Sequence, residues 1–104
     1  MAENQSMFRD ANEHIQRRAR ELDFDDPVPF LCECGKPECR EVLRLRLDEY
    51  EAVRSEPAHF FVVPGHEASE PEGSLIERRD GYVVIEKTGI AGEVAERRDP
   101  RQKA

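Results

Sequence analysis

Three cysteines lie close together in the run Cys32-Glu33-Cys34-Gly35-Lys36-Pro37-Glu38-Cys39. Structural zinc sites bind the ion tetrahedrally through cysteine sulfur and histidine nitrogen, and a tight turn is needed to bring several thiolates to about 2.3 Å from one ion. Gly35 directly follows Cys34 and can adopt a positive φ, which lets the backbone fold back around a metal. Lys36 adds a positive charge that favours thiolates over thiols. The pattern Cys-x-Cys-Gly-x3-Cys therefore predicts a bound Zn²⁺ ion in a short zinc knuckle.

Other interpretations of the three cysteines fit the sequence less well. A disulfide between Cys32 and Cys34 would be strained at such close spacing and would leave Cys39 unpaired. Buried structural thiols do not suit a segment whose intervening residues are mostly charged. Thiolates also hold iron–sulfur clusters, but the common cluster spacings differ from this one. Zinc is the expected metal, and iron–sulfur chemistry is the alternative.

The fourth ligand is sought among three histidines. His14 falls on a predicted helix, beside its apolar stripe. His59 and His66 lie at opposite ends of a predicted strand, up to roughly 23 Å apart at about 3.3 Å per residue, so one ion cannot bind both. The turn Pro64-Gly65-His66 follows a buried strand and can bring its imidazole to the cysteine loop, so His66 is the predicted ligand. The alternative is a carboxylate from one of the nearby acidic residues: Glu33, Glu38 or Glu67.

An amphipathic helix is predicted near the N-terminus, over Asn4–Leu22. Apolar residues recur there at spacings of three and four, which is the period of one helix face. The residues of this stripe are Phe8, Ala11, Ile15, Ala19 and Leu22. Pro27 and Pro29 prevent the helix from continuing, and its apolar stripe should pack on the rest of the fold.

Two strands, Val28–Cys32 and Val42–Leu47, are predicted to form a hairpin whose connection carries all three cysteines. A second short helix follows from Asp48 to about Ser55, and Asp48 and Glu51 match a capping box with Asp as the N-cap. Phe60–Val63 is apolar throughout, which favours a strand covered on both faces. The hairpin loop should therefore lie near the end of that buried strand.

The remaining elements complete an α+β fold. Asp80-Gly81 favours a two-residue turn between strands Leu75–Arg79 and Tyr82–Lys87. Pro64–Gly73 is rich in Pro and Gly and predicts a mobile loop, and Ile90–Arg97 is either a short helix or an edge strand. We expect a single zinc-binding domain over 1–104 with a small antiparallel sheet, frayed at about 1–3 and 99–104.

Composition limits the classes of function. Of the 104 residues, 38% are apolar and 38% charged, with no Trp, so the core is small and a metal cross-link would supplement it. The net charge of −7 argues against general binding to nucleic acid. No stretch approaches the ~20 apolar residues of a membrane helix, and the N-terminus lacks the apolar segment of a signal peptide. A cytoplasmic protein without a membrane or nucleic-acid partner is predicted.

Several segments together resemble an uncharacterised family of small bacterial proteins. They are Phe30-Leu31-Cys32-Glu33-Cys34-Gly35 with Cys39, Glu49-Tyr50 with Val53-Arg54, Phe61-Val62-Val63-Pro64-Gly65-His66, and Asp99-Pro100-Arg101. The resemblance spans most of the chain, and its most specific parts are Cys-x-Cys-Gly and Pro-Gly-His. It implies metal binding through the cysteines and that histidine, and it implies no reaction.

A non-catalytic protein-interaction or regulatory module is the predicted function, because the chain has no Gly-rich phosphate loop and no nucleophile motif. The partner is expected to be a protein that contacts the first helix or the acidic loop around Glu67–Glu72. One alternative is a zinc enzyme with an open coordination position, although three thiolates weaken the Lewis acidity of the ion. The other is a thiol-based redox or zinc sensor. Nucleic-acid binding ranks below these functions. Arg40, Arg44 and Arg46 could form a small basic face beside the cysteine loop, but Glu41 and the net negative charge oppose binding to phosphates.

Overall fold

A computed structural model describes residues 2–34, 36, 38–69, 73–99 and 101. The helices and strands follow one another in this order: α1 (Ala2–Glu21), β1 (Val28–Leu31), β2 (Val42–Leu45), α2 (Leu47–Arg54), β3 (His59–Val62), a 3₁₀ helix (His66–Ser69), β4 (Gly73–Arg79), β5 (Tyr82–Lys87) and α3 (Gly89–Arg97). The predicted α+β class is confirmed, and so is the cysteine-bearing hairpin of β1 and β2. The last segment, for which helix and strand were both open, is a helix.

The described strands form two antiparallel sheets instead of one. One sheet contains β1 and β2, and the other has the order β3-β5-β4. The predicted turn at Asp80-Gly81 is confirmed, because Arg79 pairs with Tyr82 and Gly81 has a φ of +90°. The segment predicted to be a mobile loop, Pro64–Gly73, begins with a turn at Pro64-Gly65 and continues as the 3₁₀ helix; its residues 70–72 lie outside the described part of the chain.

Strands β3 and β5 are covered on both faces, as predicted for the apolar run at β3. Successive side chains of a strand point to opposite faces of the sheet. Phe61 therefore joins one buried cluster, with Phe30, Tyr50 and Tyr82 among its members. The neighbouring Phe60 joins the other, whose buried members also include Cys32, Cys34, Val62, Val83, Ile85 and Ala95. Two of the three cysteines thus belong to the core on one face of the larger sheet.

The buried face of α1 is mostly polar, so the prediction of an apolar stripe facing the core is wrong in part. Of the predicted stripe, Ala19 is buried, but Leu22 is 62% exposed. The buried polar residues of the helix are Arg9, Asn12, Glu13 and Gln16. All four make hydrogen bonds to other elements. The two terminal nitrogens of the Arg9 guanidinium donate to the carbonyl oxygens of Ala95 and His59 at 3.1 and 3.2 Å and also to that of Pro57, whereas the buried Nε of Arg9 has no partner among the described residues.

Helix α2 begins one residue earlier than predicted, at Leu47. The carboxylate of Glu49 accepts the backbone N–H of Arg46 at 2.8 Å, so the N-cap residue is Arg46. The predicted capping box of Asp48 and Glu51 is therefore wrong. Asp48 lies in the first turn, where its negative charge is favourable for the helix dipole.

After α3, the two described residues of the predicted frayed end, Asp99 and Arg101, both form ion pairs. Asp99 accepts a hydrogen bond from the buried guanidinium of Arg54 at 2.6 Å. Arg101 is held between Glu13 of α1, at 2.6 Å, and Glu51 of α2, at 2.8 Å. At the other predicted frayed end, residues 2 and 3 lie in α1, and residues 1, 100 and 102–104 lie outside the described residues. No helix in the described part of the chain combines the length and the apolar character needed to cross a membrane.

Candidate metal centre

The cysteine loop leaves β1 and returns to β2 through a closed turn. The backbone N–H of Cys32 donates to the carbonyl oxygen of Glu41 at 3.0 Å, which closes the base of the loop. Within the loop, the N–H of Cys39 donates to the carbonyl oxygen of Lys36 at 3.0 Å. These two bonds turn the segment so that its first and last cysteines approach each other. Gly35, for which a positive φ was predicted, lies outside the described residues, as does Pro37.

Glu33 anchors this loop to the core. Its backbone N–H donates to the carbonyl oxygen of Phe61 at 3.0 Å. Its fully buried carboxylate accepts the side-chain amide of Asn12 at 2.9 Å and the N–H of Phe61 at 3.4 Å. Burial raises the pKa of the Glu33 carboxyl, and the charge of Arg9 opposes that shift. Glu33 is thus held in the interior between two cysteines that are also buried, Cys32 and Cys34.

His66 reaches the loop from the turn that follows β3. Gly65 has a φ of +101°, and the N–H of His66 donates to the carbonyl oxygen of Val63 at 2.9 Å. The imidazole Nδ1 then lies 3.4 Å from the Cys32 sulfur and 3.8 Å from the Cys39 sulfur. The sequence Pro64-Gly65-His66 thus supplies the sharp turn that brings the imidazole to the hairpin loop.

Cys32, Cys34, Cys39 and His66 form a four-residue donor cluster, and their ligand atoms all lie within 4.8 Å of one another. In a tetrahedral zinc site with Zn–S of about 2.3 Å and Zn–N of about 2.0–2.1 Å, sulfur and nitrogen ligands are separated by about 3.5 Å and two sulfurs by about 3.8 Å. The two measured sulfur–nitrogen distances, 3.4 and 3.8 Å, are near the first value. The cluster could therefore hold a metal ion with small adjustments of the side chains.

The other candidate ligands lie elsewhere. His59 is 3.2 Å from Glu86 on β5, and His14 is an exposed residue on α1 beside Arg17. Of the alternative carboxylates, Glu33 is engaged in the core, Glu38 is exposed, and Glu67 accepts the N–H of Gly65 at 2.7 Å. Among the described residues, none of these belongs to the cluster.

Burial sets the electrostatics of the thiols. Removal from water raises the pKa of Cys32 and of Cys34 above the ordinary value for a thiol. Backbone donors oppose this shift: the N–H of Val63 lies 3.3 Å from the Cys32 sulfur, and the backbone of Lys36 hydrogen-bonds to Cys34. Metal ligands must be thiolates, and the charge of a bound cation inverts the effect of burial. A bound cation would therefore favour the thiolate forms of Cys32 and Cys34 against the effect of burial.

Two contributors to this centre were not among the predicted site residues. The backbone N–H of Val63 donates to a sulfur, which no side-chain pattern can reveal. The carboxylate of Glu41 lies 2.9 Å from Nε2 of His66, on the ring edge away from the sulfurs. Its position two residues after Cys39 is the only sequence signal that points to it.

Comparison with known proteins adds no family to these observations. No protein-family model matches the chain, and searches of curated proteins and of solved structures also found no match. The resemblance to small bacterial proteins gains no support from them. What the structure does support is its central implication, a cluster of three cysteines and one histidine that could bind a metal.

Proposed function

We propose that this protein binds one zinc ion through Cys32, Cys34, Cys39 and His66. In this proposal the ion is structural and joins the β1–β2 loop to the turn after β3. The observation that carries it is the convergence of four donor atoms, all within 4.8 Å, from two segments far apart in sequence. Packing in the core accounts for the burial of Cys32 and Cys34, but it does not account for the approach of the imidazole of His66 to the sulfurs of Cys32 and Cys39 at 3.4 and 3.8 Å.

The donor set favours zinc over other common metals. Sulfur and imidazole are the preferred ligands of tetrahedral zinc, whereas calcium and magnesium require oxygen ligands. Three thiolates and one neutral imidazole leave a formal charge of −1 on the zinc-loaded site. Backbone donors such as the N–H of Val63 would share that charge with the sulfurs.

A complete set of protein ligands also favours a non-catalytic role. A catalytic zinc keeps one coordination position for water or substrate, and here the protein offers four donors. We therefore propose a small protein-interaction or regulatory module in which zinc maintains the shape of the cysteine loop. Free thiols of this kind suit a reducing compartment such as the cytoplasm.

Elemental analysis of protein purified without added metal tests the proposal. We expect about one zinc per chain in the wild type and a clear loss of zinc in Cys39→Ser, which removes one of the four donors. His59→Ala is the matched control, because His59 lies outside the cluster and pairs with Glu86 at 3.2 Å. Circular dichroism of each variant establishes that it has folded.

Two results would contradict the proposal. Wild-type protein that contains no metal, even after refolding with zinc, would remove the site. Iron in place of zinc would indicate redox chemistry.

A third measurement separates a structural from a catalytic ion. If His66→Ala keeps one zinc, and the visible spectrum of its cobalt-substituted form equals that of the wild type, then water occupies the fourth coordination position in both proteins.

A further inference from the structure

The imidazole of His66 lies between two groups of opposite chemical character. Its Nδ1 faces the sulfurs of Cys32, at 3.4 Å, and Cys39, at 3.8 Å. Its Nε2 lies 2.9 Å from a carboxylate oxygen of Glu41. Turning the ring by 180° would place carbon atoms at both positions and lose both contacts. The two polar partners together therefore select one orientation of the ring.

The Glu41 contact also determines which nitrogen carries the proton. A carboxylate only accepts hydrogen bonds, so Nε2 must donate to it. A neutral imidazole has one protonated nitrogen, so Nδ1 is unprotonated and directs its lone pair at the sulfurs of Cys32 and Cys39. That lone pair is what a metal ligand requires, and the ring is already oriented for it.

We propose that Glu41 is a positioning residue for the metal centre, which makes Nδ1, and not Nε2, the nitrogen of His66 that binds the ion. The inference rests on the proposed zinc site. Metal-bound histidines commonly donate their second ring N–H to a carboxylate, which fixes the ring and strengthens its basicity. Here the arrangement is supplied by a residue at the end of the cysteine loop itself.

Glu41 is well placed for this role by its backbone. Its carbonyl oxygen accepts the N–H of Cys32 at 3.0 Å, and the next residue begins β2. The same residue therefore closes the loop with its backbone and orients His66 with its side chain. The side chain of Glu41 is 57% exposed, so its replacement should leave the buried clusters intact.

Zinc affinity of three variants, measured by competition with a chromophoric chelator, tests the role of Glu41. Loss of such an outer carboxylate typically weakens metal binding about 10–100-fold, which is the expected result for Glu41→Ala. Glu41→Gln keeps an oxygen that can accept the Nε2–H bond and should restore most of the affinity. Glu38→Ala removes the same charge from the same loop at an exposed position and should bind zinc as the wild type does.

Long-range ¹H–¹⁵N NMR of the histidine rings supplies a readout that a merely structural role would not change. In the zinc-loaded wild type, His66 should show a metal-bound Nδ1 and a protonated Nε2. His14 and His59 should show no metal-bound nitrogen and serve as internal references. In Glu41→Ala we expect the His66 signals to shift or broaden, and in Glu41→Gln to remain close to those of the wild type.

The outcomes separate this inference from the proposed function. Wild-type protein that binds no zinc would overturn both. Wild-type protein that binds zinc through Nε2 of His66, or a Glu41→Ala variant with unchanged affinity and unchanged His66 signals, would overturn the role of Glu41 alone. A loss in Glu41→Ala that Glu41→Gln does not recover would also count against it, because charge and not ring orientation would then be responsible.

Discussion

Replacement of His66 by alanine should destabilise the fold to an extent that depends on zinc. With the proposed ion bound, His66 would close a loop in the chain, since it lies 34 residues from Cys32 and 27 from Cys39. The chain-entropy relation for a cross-link of this size gives about 3.5–4 kcal/mol at 25 °C, and a metal clip restricts the unfolded chain in the same sense. This figure is the expected contribution of His66 to the free energy of unfolding of the zinc form.

In the absence of zinc the same substitution should have a small effect. Without the ion, His66 keeps the hydrogen bond from its ring to Glu41, at 2.9 Å, and the contacts of its Nδ1 with the sulfurs of Cys32 and Cys39, and the net contribution of each such hydrogen bond to stability is small. With zinc, the loss should lower the melting temperature by roughly 15–30 °C, because a domain of this size shifts by about 4–8 °C per kcal/mol. The test is therefore the difference between the change in unfolding free energy that His66→Ala causes with zinc and the change that it causes without zinc.

Urea denaturation of the wild type and of His66→Ala, each with stoichiometric zinc and with chelator, gives this difference directly. His59→Ala is the matched control, since His59 is also a partly buried histidine with a glutamate partner, at 3.2 Å. Its effect should be the same with and without zinc. The reasoning would be refuted if His66→Ala lowered stability equally in both conditions, since the histidine would then act through packing and not through the metal.

Two further predictions concern the rest of the fold. Gly92→Ala should destabilise by about 1–3 kcal/mol, because the new Cβ would lie 2.7 Å from the carbonyl oxygen of Lys87; thermal melting with the exposed Glu93→Ala as control measures this, and an unchanged melting temperature would contradict it. Hydrogen bonds from Arg101 hold the pKa of Glu51 below its ordinary 4.5, so the stability they provide is present above pH 4.5 and is lost as the pH falls through the lowered pKa. Arg101→Ala should therefore show a shallower loss of stability than the wild type in urea denaturation below pH 4.5, and parallel profiles would exclude this linkage.

The donor cluster could be predicted because its information is local. Cys32, Cys34 and Cys39 occupy one loop, and their spacing alone limits the geometry to a turn. The choice of His66 required one further step, namely that a Pro-Gly turn after a buried strand brings the next side chain to a neighbouring hairpin. The Glu41 contact was not predictable in the same way, because it depends on the rotamers of two side chains that lie on separate segments.

The interior face of α1 could not be predicted from its periodicity. Apolar spacing indicated Phe8, Ala11, Ile15, Ala19 and Leu22. Of these, Ala19 is buried and Ile15 packs against the core, yet the face that the fold buries also carries Arg9 and Glu13. Burial of such residues is favourable only when each finds a hydrogen-bonding or charged partner. Those partners lie 86 residues from Arg9, at Ala95, and 88 residues from Glu13, at Arg101. The residue pattern of one helix cannot predict contacts with residues so far away in the sequence.

The polar interior face of α1 has a consequence for the order of events during protein synthesis. Ribosomes add about 5–20 residues per second, so the 88 residues between Glu13 and Arg101 take roughly 4–18 s to make, whereas a helix forms within about a microsecond. During that interval the face of α1 that will later be buried exposes mostly charged and polar groups to water, and few apolar groups. We therefore expect the emerging helix to have little tendency to aggregate, and its hydrogen bonds to Ala95 and Arg101 can form only after those residues have been synthesised.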